Sequence, residues 1–321
     1  MKKYLSILLA AIMILSLAAC NGKDTNSPNG GEEQAKTFKV GINNWGQANY
    51  FARIGKSSME DELKKLGCEV VATVTDNITE RTEAIETMIQ QGCDAIIIEE
   101  GNITECETAV LEAKDAGIII GSMDAGTADY VDIYVSSDNS DLGKITAEAL
   151  VEAIGGKGRL IEIVYEGGSM TRARAEAAHE VFAQYPEIEV AYSLTYSWPD
   201  YDADMMNQVA AVLQANPNPG DIAGVFAVFD GVGLSAYKAI GEAGLKDSIS
   251  IVGVDGDPDA YAVMQEDDTN YVCTMAQDPE TIARTVCDLV VDLLNGKTLE
   301  SNVVYIPGIK VTPENVADYA S

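Results

Sequence analysis

Histidine is almost missing. His179 is the only one in 321 residues, which removes imidazole acid–base chemistry and most zinc sites. Cations are scarce: 21 Lys and Arg stand against 51 Asp and Glu, a formal charge of −30. A charge of that sign repels phosphate backbones and excludes nucleic acid as a partner. Proline, at 9 residues, is too rare for a proline-rich disordered chain, and 47% hydrophobic content suits a packed body. No C-x-x-C occurs, and Cys68, Cys93, Cys106, Cys273 and Cys287 are odd in number and irregular in spacing, so they form no disulfide framework. Cys68 and Cys93 directly precede apolar runs and read as small core residues. Also missing are the phosphate-cradling G-x-x-x-x-G-K-[ST], the dinucleotide G-x-G-x-x-G, the nucleophile elbow G-x-S-x-G and the zinc helix H-E-x-x-H. Neither an enzyme, a cofactor nor a metal is expected.

What is present begins with an address. Lys2 and Lys3 precede an apolar run over 5–19, too short to span a bilayer comfortably and of signal-peptide length. It ends in Leu17-Ala18-Ala19-Cys20, which resembles the bacterial lipobox; that resemblance implies cleavage before Cys20 and a lipid on its thiol. Residues 21–36 hold no Val, Ile, Leu or aromatic side chain and read as a flexible tether, so 1–19 is expected as signal peptide and 20–37 as tether. Together they place a soluble body outside the cell, held to the outer face of the membrane by lipid alone.

From Phe38 short apolar runs alternate with helical periodicity. Strands are expected at 39–43, 69–75, 95–98, 118–122 and 132–135, with helices over 51–66, 79–91 and 104–116. Gly67, Gly92 and Gly117 stand just past the helix ends, where a left-handed residue closes the last turn. After a helix over 141–154 the alternation restarts, with strands at 159–165, 189–196, 223–229, 250–254 and 271–276 and helices at 171–185, 202–214, 233–243 and 258–265. A helix over 279–294 and a strand near 303–306 complete it. The expected fold is therefore α/β, with two similar Rossmann-like lobes, each a parallel sheet with helices on both faces. The tail helix folding back onto the first lobe would make a multi-strand hinge.

In open parallel sheets ligands lie outside the carboxyl ends of the strands. Those ends carry Asn43, Asn44, Trp45, Asn49, Tyr50 and Phe51; then Asp76, Asp124 and Ser137-Asp138-Asn139. In the second half they carry Tyr165, Arg172, Arg174, Tyr196, Trp198, Phe229, Asp230, Asp255 and Gln277. Carboxylates, amides and arginine satisfy hydroxyls that both donate and accept, while aromatic planes pack on the C–H faces of a sugar ring. The two Trp, one in each half, suggest a two-sided stack on a neutral polyhydroxylated ligand, although interlobe packing is the competing use. Each aspartate also precedes a helix that it could cap, and Arg172 and Arg174 could pair with surface carboxylates.

These strings carry a family resemblance. Val40-Gly41-Ile42, Gly92-Cys93-Asp94-Ala95-Ile96-Ile97-Ile98, Ser122-Met123-Asp124 and Ser137-Asp138-Asn139 resemble bacterial periplasmic sugar-binding proteins of the ribose-binding type. Arg172-Ala173-Arg174, Val252-Gly253-Val254-Asp255-Gly256 and Ala276-Gln277-Asp278-Pro279 continue the match in order, over about 38–310. The resemblance implies a monomeric two-lobed receptor that closes over a sugar or polyol and delivers it to an ABC transporter permease. It implies ligand contacts from Asn49, Phe51, Asp124, Arg174, Trp198, Asp255 and Gln277, with Gln277 at the hinge; Trp45 and Asp230 join them as strand-end candidates. It further implies lobes of 38–136 plus 278–306 and 137–277 plus 307–321. Two departures stand out. Phe229-Asp230 replaces the family's usual Asn-Asp, and the loop Asn44-Trp45-Gly46-Gln47-Ala48-Asn49-Tyr50 is unusually aromatic.

Three other readings compete. Asp255-Gly256-Asp257-Pro258-Asp259 with Glu266 superficially resembles a calcium loop, but Ala260 stands where glycine is needed and Pro258 interrupts it. A transcriptional repressor with the same core would need a basic helix-turn-helix where the acidic tether stands. A receptor reporting to a sensor kinase or chemoreceptor would use the same closure. The lipobox makes the first prediction: Cys20→Ala abolishes incorporation of labelled fatty acid and releases the protein from the membrane fraction. Unchanged lipid labelling of that variant would refute the anchor.

Overall fold

Two six-stranded sheets organise residues 37–320, the part of the chain that the computed structural model describes. Cys20 and the expected leader lie outside these residues. The first sheet gathers β1 (Lys39–Trp45), β2 (Glu69–Thr75), β3 (Ala95–Glu99), β4 (Ile119–Met123) and β5 (Ile133–Ser136). Between them run α1 (Tyr50–Lys65), α2 (Ile78–Gln90) and α3 (Glu107–Asp115). α4 (Asn139–Ala153) opens the second lobe, followed by β6 (Gly158–Val164), α5 (Ser169–Phe182), β7 (Ile188–Thr195) and α6 (Tyr201–Ala215). It continues with β8 (Gly224–Ala227), α7 (Asp230–Glu242), β9 (Ser250–Asp255), α8 (Pro258–Met264) and β10 (Tyr271–Ala276). α9 (Pro279–Leu294), β11 (Val303–Tyr305) and β12 (Ile309–Val311) complete the order.

The sheets run β2-β1-β3-β4-β5-β11 and β7-β6-β8-β9-β10-β12, the same winding twice. All pairings are parallel except β10 with β12, which is antiparallel. Central strands read as unbroken apolar runs because helices cover both faces: all five residues of β3 are buried. Edge strands β2 and β7 alternate in exposure instead. Gly67, Gly92 and Gly117 have φ of 78°, 72° and 81°, the left-handed turn that stops each preceding helix.

The two-lobed α/β architecture expected from the alternation is the one observed. The chain crosses between sheets three times: from β5 to α4, from β10 to α9, and from β11 to β12. α9 returns to pack against α1, β4 and β5, burying Ile282, Val286, Cys287 and Val290 in the first lobe. Three details differ from expectation. β12 was not foreseen, because three residues carry no period to read. The helix expected over 104–116 splits into a 3-10 turn at Ile103–Cys106 followed by α3. α7 starts at Asp230 rather than 233, directly on the strand end. The five cysteines in the described residues are free thiols, four buried and Cys68 half-buried. Among the described residues no cluster could hold a metal ion, and no helix is long and apolar enough to cross a membrane.

α4 and α5 pack closely behind Arg174. A Cβ on Gly143 of α4 would overlap the backbone of Arg174 in α5. Gly143→Ala is therefore expected to cost about 1–3 kcal/mol of stability by overpacking, read as a lower urea midpoint. An unchanged midpoint would show that the two helices part freely.

Candidate functional site

Each sheet reverses its winding beside its first strand, between β1 and β3 and between β6 and β8, which opens a crevice at the strands' carboxyl ends. The two crevices face each other. Between them lies a cleft with about 400 Å³ of empty space, walled by Trp45, Asn49 and Glu100 from one side and Arg174, Phe229 and Asp255 from the other. The rims touch: the Ser169 N–H donates to the Gly101 carbonyl at 3.0 Å, and the Tyr201 hydroxyl to the Ala48 carbonyl at 3.3 Å.

Arg174, 2% exposed, is the hub of the second wall. Its Nε donates to Asn139 Oδ1 at 2.7 Å and its Nη1 to the Val228 carbonyl at 2.9 Å, with Asp255 Oδ1 at 3.4 Å. Asn139 in turn donates to Asp124 Oδ1 at 2.9 Å, while Asp124 Oδ2 stands 3.9 Å from Arg174 Nη2 without a hydrogen bond. Asp255 also accepts from Gln277 Nε2 at 2.9 Å. Asp255 has φ of 121° and Asp124 of 57°, so the backbone at both positions is held in the left-handed half of the map.

A second buried guanidinium, Arg81 of α2, builds the opposite wall. Its Nη1 and Nη2 donate to the carbonyls of Glu100 and Glu99 at 2.8 and 2.7 Å, and its Nε to Asn43 Oδ1 at 2.7 Å. The guanidinium lies 4.6 Å from the centre of the Trp45 ring. This brace holds Glu100 at φ 50° with its side chain on the cleft, where among the described residues only Asn49 Nδ2 reaches its carboxyl group, at 3.3 and 3.5 Å. Glu99 turns away and accepts from Asn44 Nδ2.

Of the residues expected at the site, Trp45, Asn49, Arg174, Trp198 and Asp255 line the cleft. Asn49 does two jobs, since its Oδ1 also caps α1 by accepting from the Ala52 N–H at 2.7 Å. Trp198 is stacked on Tyr201 at 19° and 6.1 Å, and its ring abuts Gly46. The other expected residues stand away from the surface of this cleft. Asp230 is wholly buried and off the cleft: its carboxylate accepts from the Tyr271 hydroxyl, the Thr274 hydroxyl and the Gly256 and Asp257 N–H groups at 2.8–2.9 Å. Phe51 packs in the first lobe's core. Asp124 and Gln277 sit behind the wall as partners of Arg174 and Asp255. Asp257, in the calcium-like string, is the N-cap of α8.

Sequence reasoning missed Glu99 and Glu100, passing over the end of β3, and missed Arg81. The available signal was two adjacent acids directly after Ile96-Ile97-Ile98. Tyr165 and Tyr196, noted only as strand ends, stack at 4.8 Å and 21° and meet Phe229 to form an aromatic wall.

A family model described as a periplasmic binding protein domain matches residues 40–298. The chain is 30% identical over 313 residues to the ribose import binding protein of Bacillus subtilis (strain 168), covering 94% of this chain and 97% of that one. It is 28% identical to the xylitol-binding protein of Mycolicibacterium smegmatis, covering 97% and 86%. Among solved structures, an ABC transporter solute-binding protein from Agrobacterium vitis with bound allitol superposes with a TM-score of 0.85 at 27% identity, covering 88% of this chain and 98% of that one.

The buried acids make a pH prediction. Burial pushes Asp255 up to about 7, partly offset by Arg174, and pushes Asp230 up to about 8 with help from Asp255. Glu99 and Glu100 are raised by burial as well. The unfolded chain releases these protons near pH 4, and the folded chain holds those of Asp255 and Asp230 to about pH 7–8. The folded state thus binds more protons in between, and stability falls as pH rises through that window. Equilibrium unfolding of the ligand-free protein should show a higher midpoint at about pH 5.5 than at about pH 8, with a shallower dependence in Asp255→Asn. A midpoint flat or rising over that interval would contradict the assignment.

Proposed function

The chain belongs to the periplasmic binding protein family, and from that premise we propose that its lobes close over a sugar or polyol and pass it to an ABC transporter permease. It is a solute-binding protein of this family and not an enzyme. One observation carries the ligand class: aromatic planes and groups that hydrogen-bond hydroxyls meet in a single cleft from both lobes. Asn49 and Arg174 donate, Asp255 and Glu100 accept, and Trp45, Tyr165, Tyr196, Trp198 and Phe229 supply flat apolar surface. The ligand touches both lobes and so stabilises the closed arrangement by its differential affinity for it.

In this reading the first lobe comprises 38–136 plus 278–306 and the second 137–277 plus 307–321, with Gln277 at the hinge. The family acts outside the cytoplasm. Lipidation at Cys20 would keep this member, as a monomer, at the outer face of the membrane near its permease.

A thermal-shift panel of pentoses, hexoses and polyols tests the ligand class, since a ligand bound to the folded state raises the midpoint by mass action. At least one of these should raise it, and Asp255→Ala should remove that shift. A response confined to anionic or peptide ligands would overturn the reading.

A further inference from the structure

Resting on the sugar or polyol reading, we propose that the cleft selects a sugar or polyol carrying a basic nitrogen over the uncharged parent compound. Glu100 is 7% exposed, its side chain lines the cleft, and among the described residues no ion pair reaches it. Arg81 lies close but gives its N–H groups to the backbone carbonyls of Glu99 and Glu100 and to Asn43. Arg174 is occupied with Asn139, Val228, Asp255 and Asp124. Glu100 therefore faces the ligand with one long contact to Asn49. Burial favours the protonated form of Glu100 in the empty cleft, and an ammonium brought beside it releases that proton to solvent and pairs with the carboxylate, gaining a charge-assisted hydrogen bond where water is excluded.

The rest of the wall agrees. The cleft surface itself carries Glu100 and Asp255 against Arg174, an excess of acid. Tyr165, Tyr196, Trp198 and Phe229 line the same space, and aromatic rings attract an ammonium. The backbone is committed to this placement, since Glu100 adopts φ 50°, a conformation that a non-glycine residue keeps only when its surroundings impose it. Two further atoms say that an ammonium alone does not suffice. Among the described residues the indole N–H groups of Trp45 and Trp198 are buried without a partner, and an indole N–H can only donate. They need ligand oxygens, which an ammonium lacks and a polyol has. Hydroxyls for the indoles and Arg174, together with one ammonium for Glu100, satisfy the whole wall.

The test is calorimetric titration of the full-length protein with matched pairs: hexosamines against the parent hexoses, and amino-polyols against the parent polyols. The expected result is that an amine binds about tenfold or more tightly than its parent. Glu100→Gln should abolish that ratio, because the amide keeps the shape and cannot carry the charge. The wild-type ratio is informative even if the variant folds poorly. Parents binding as tightly as their amines would overturn the inference and leave the sugar reading standing. Binding of neither class would overturn both. A preference for amines that persists in Glu100→Gln would remove Glu100 as its source and overturn the inference as argued.

Discussion

A guanidinium taken out of water must find acceptors for its N–H groups, and this molecule depends on two that do. Arg174 and Arg81 are 2% and 0% exposed, and each gives donors to strand-end carbonyls and an asparagine, with Arg174 also paired to Asp255. Removing either would leave buried carbonyls unpaired, so the walls of the cleft and the ends of β3 and β8 are one structure. That explains how loops at a ligand site keep their shape while contributing little apolar area of their own. It also explains why Asp255, Asp124 and Glu100 tolerate left-handed backbone: the guanidiniums and their amide partners determine where those residues lie.

The acids around the cleft have divided their labour. Asp230 has no accessible surface and accepts four hydrogen bonds, which pin the turn after β9 to β10 and α7. Asp255, at the end of the neighbouring strand β9, is shared between Arg174, Gln277 and the cleft. Glu100 has almost nothing but the cleft. Three carboxylates of similar burial thus range from architectural to free, and their hydrogen-bond partners tell them apart where burial does not.

The winding was readable because it rests on local signals: apolar runs too continuous for a half-exposed sheet, and glycines at the turns that stop each helix. Individual site residues were readable where an uncommon side chain stood at a strand end, as with Trp45, Trp198 and Arg174. What failed was what tertiary packing decides. Asp230 and Asp255 both follow an apolar strand, and only the position of Tyr271 and Thr274 on the neighbouring strand separates them. Phe51 and Asn49 are two residues apart, yet the first turn of α1 sends one into the core and leaves the other on the cleft. Arg81 stands in an amphipathic helix, where a lone cation reads as solvent-facing. Glu99 and Glu100 looked like the ordinary charged end of a strand, because nothing in their neighbours reveals that Arg81 will close over them.

The three chain crossings have a mechanical consequence. A single tether would let the halves swivel in any direction, whereas three strands of backbone side by side resist twisting and sliding and leave bending as the soft motion. The outer surfaces of the lobes then depend on essentially one angle. A membrane partner that recognises the spacing of two patches, one on each half, would be reading occupancy of a cavity it never touches.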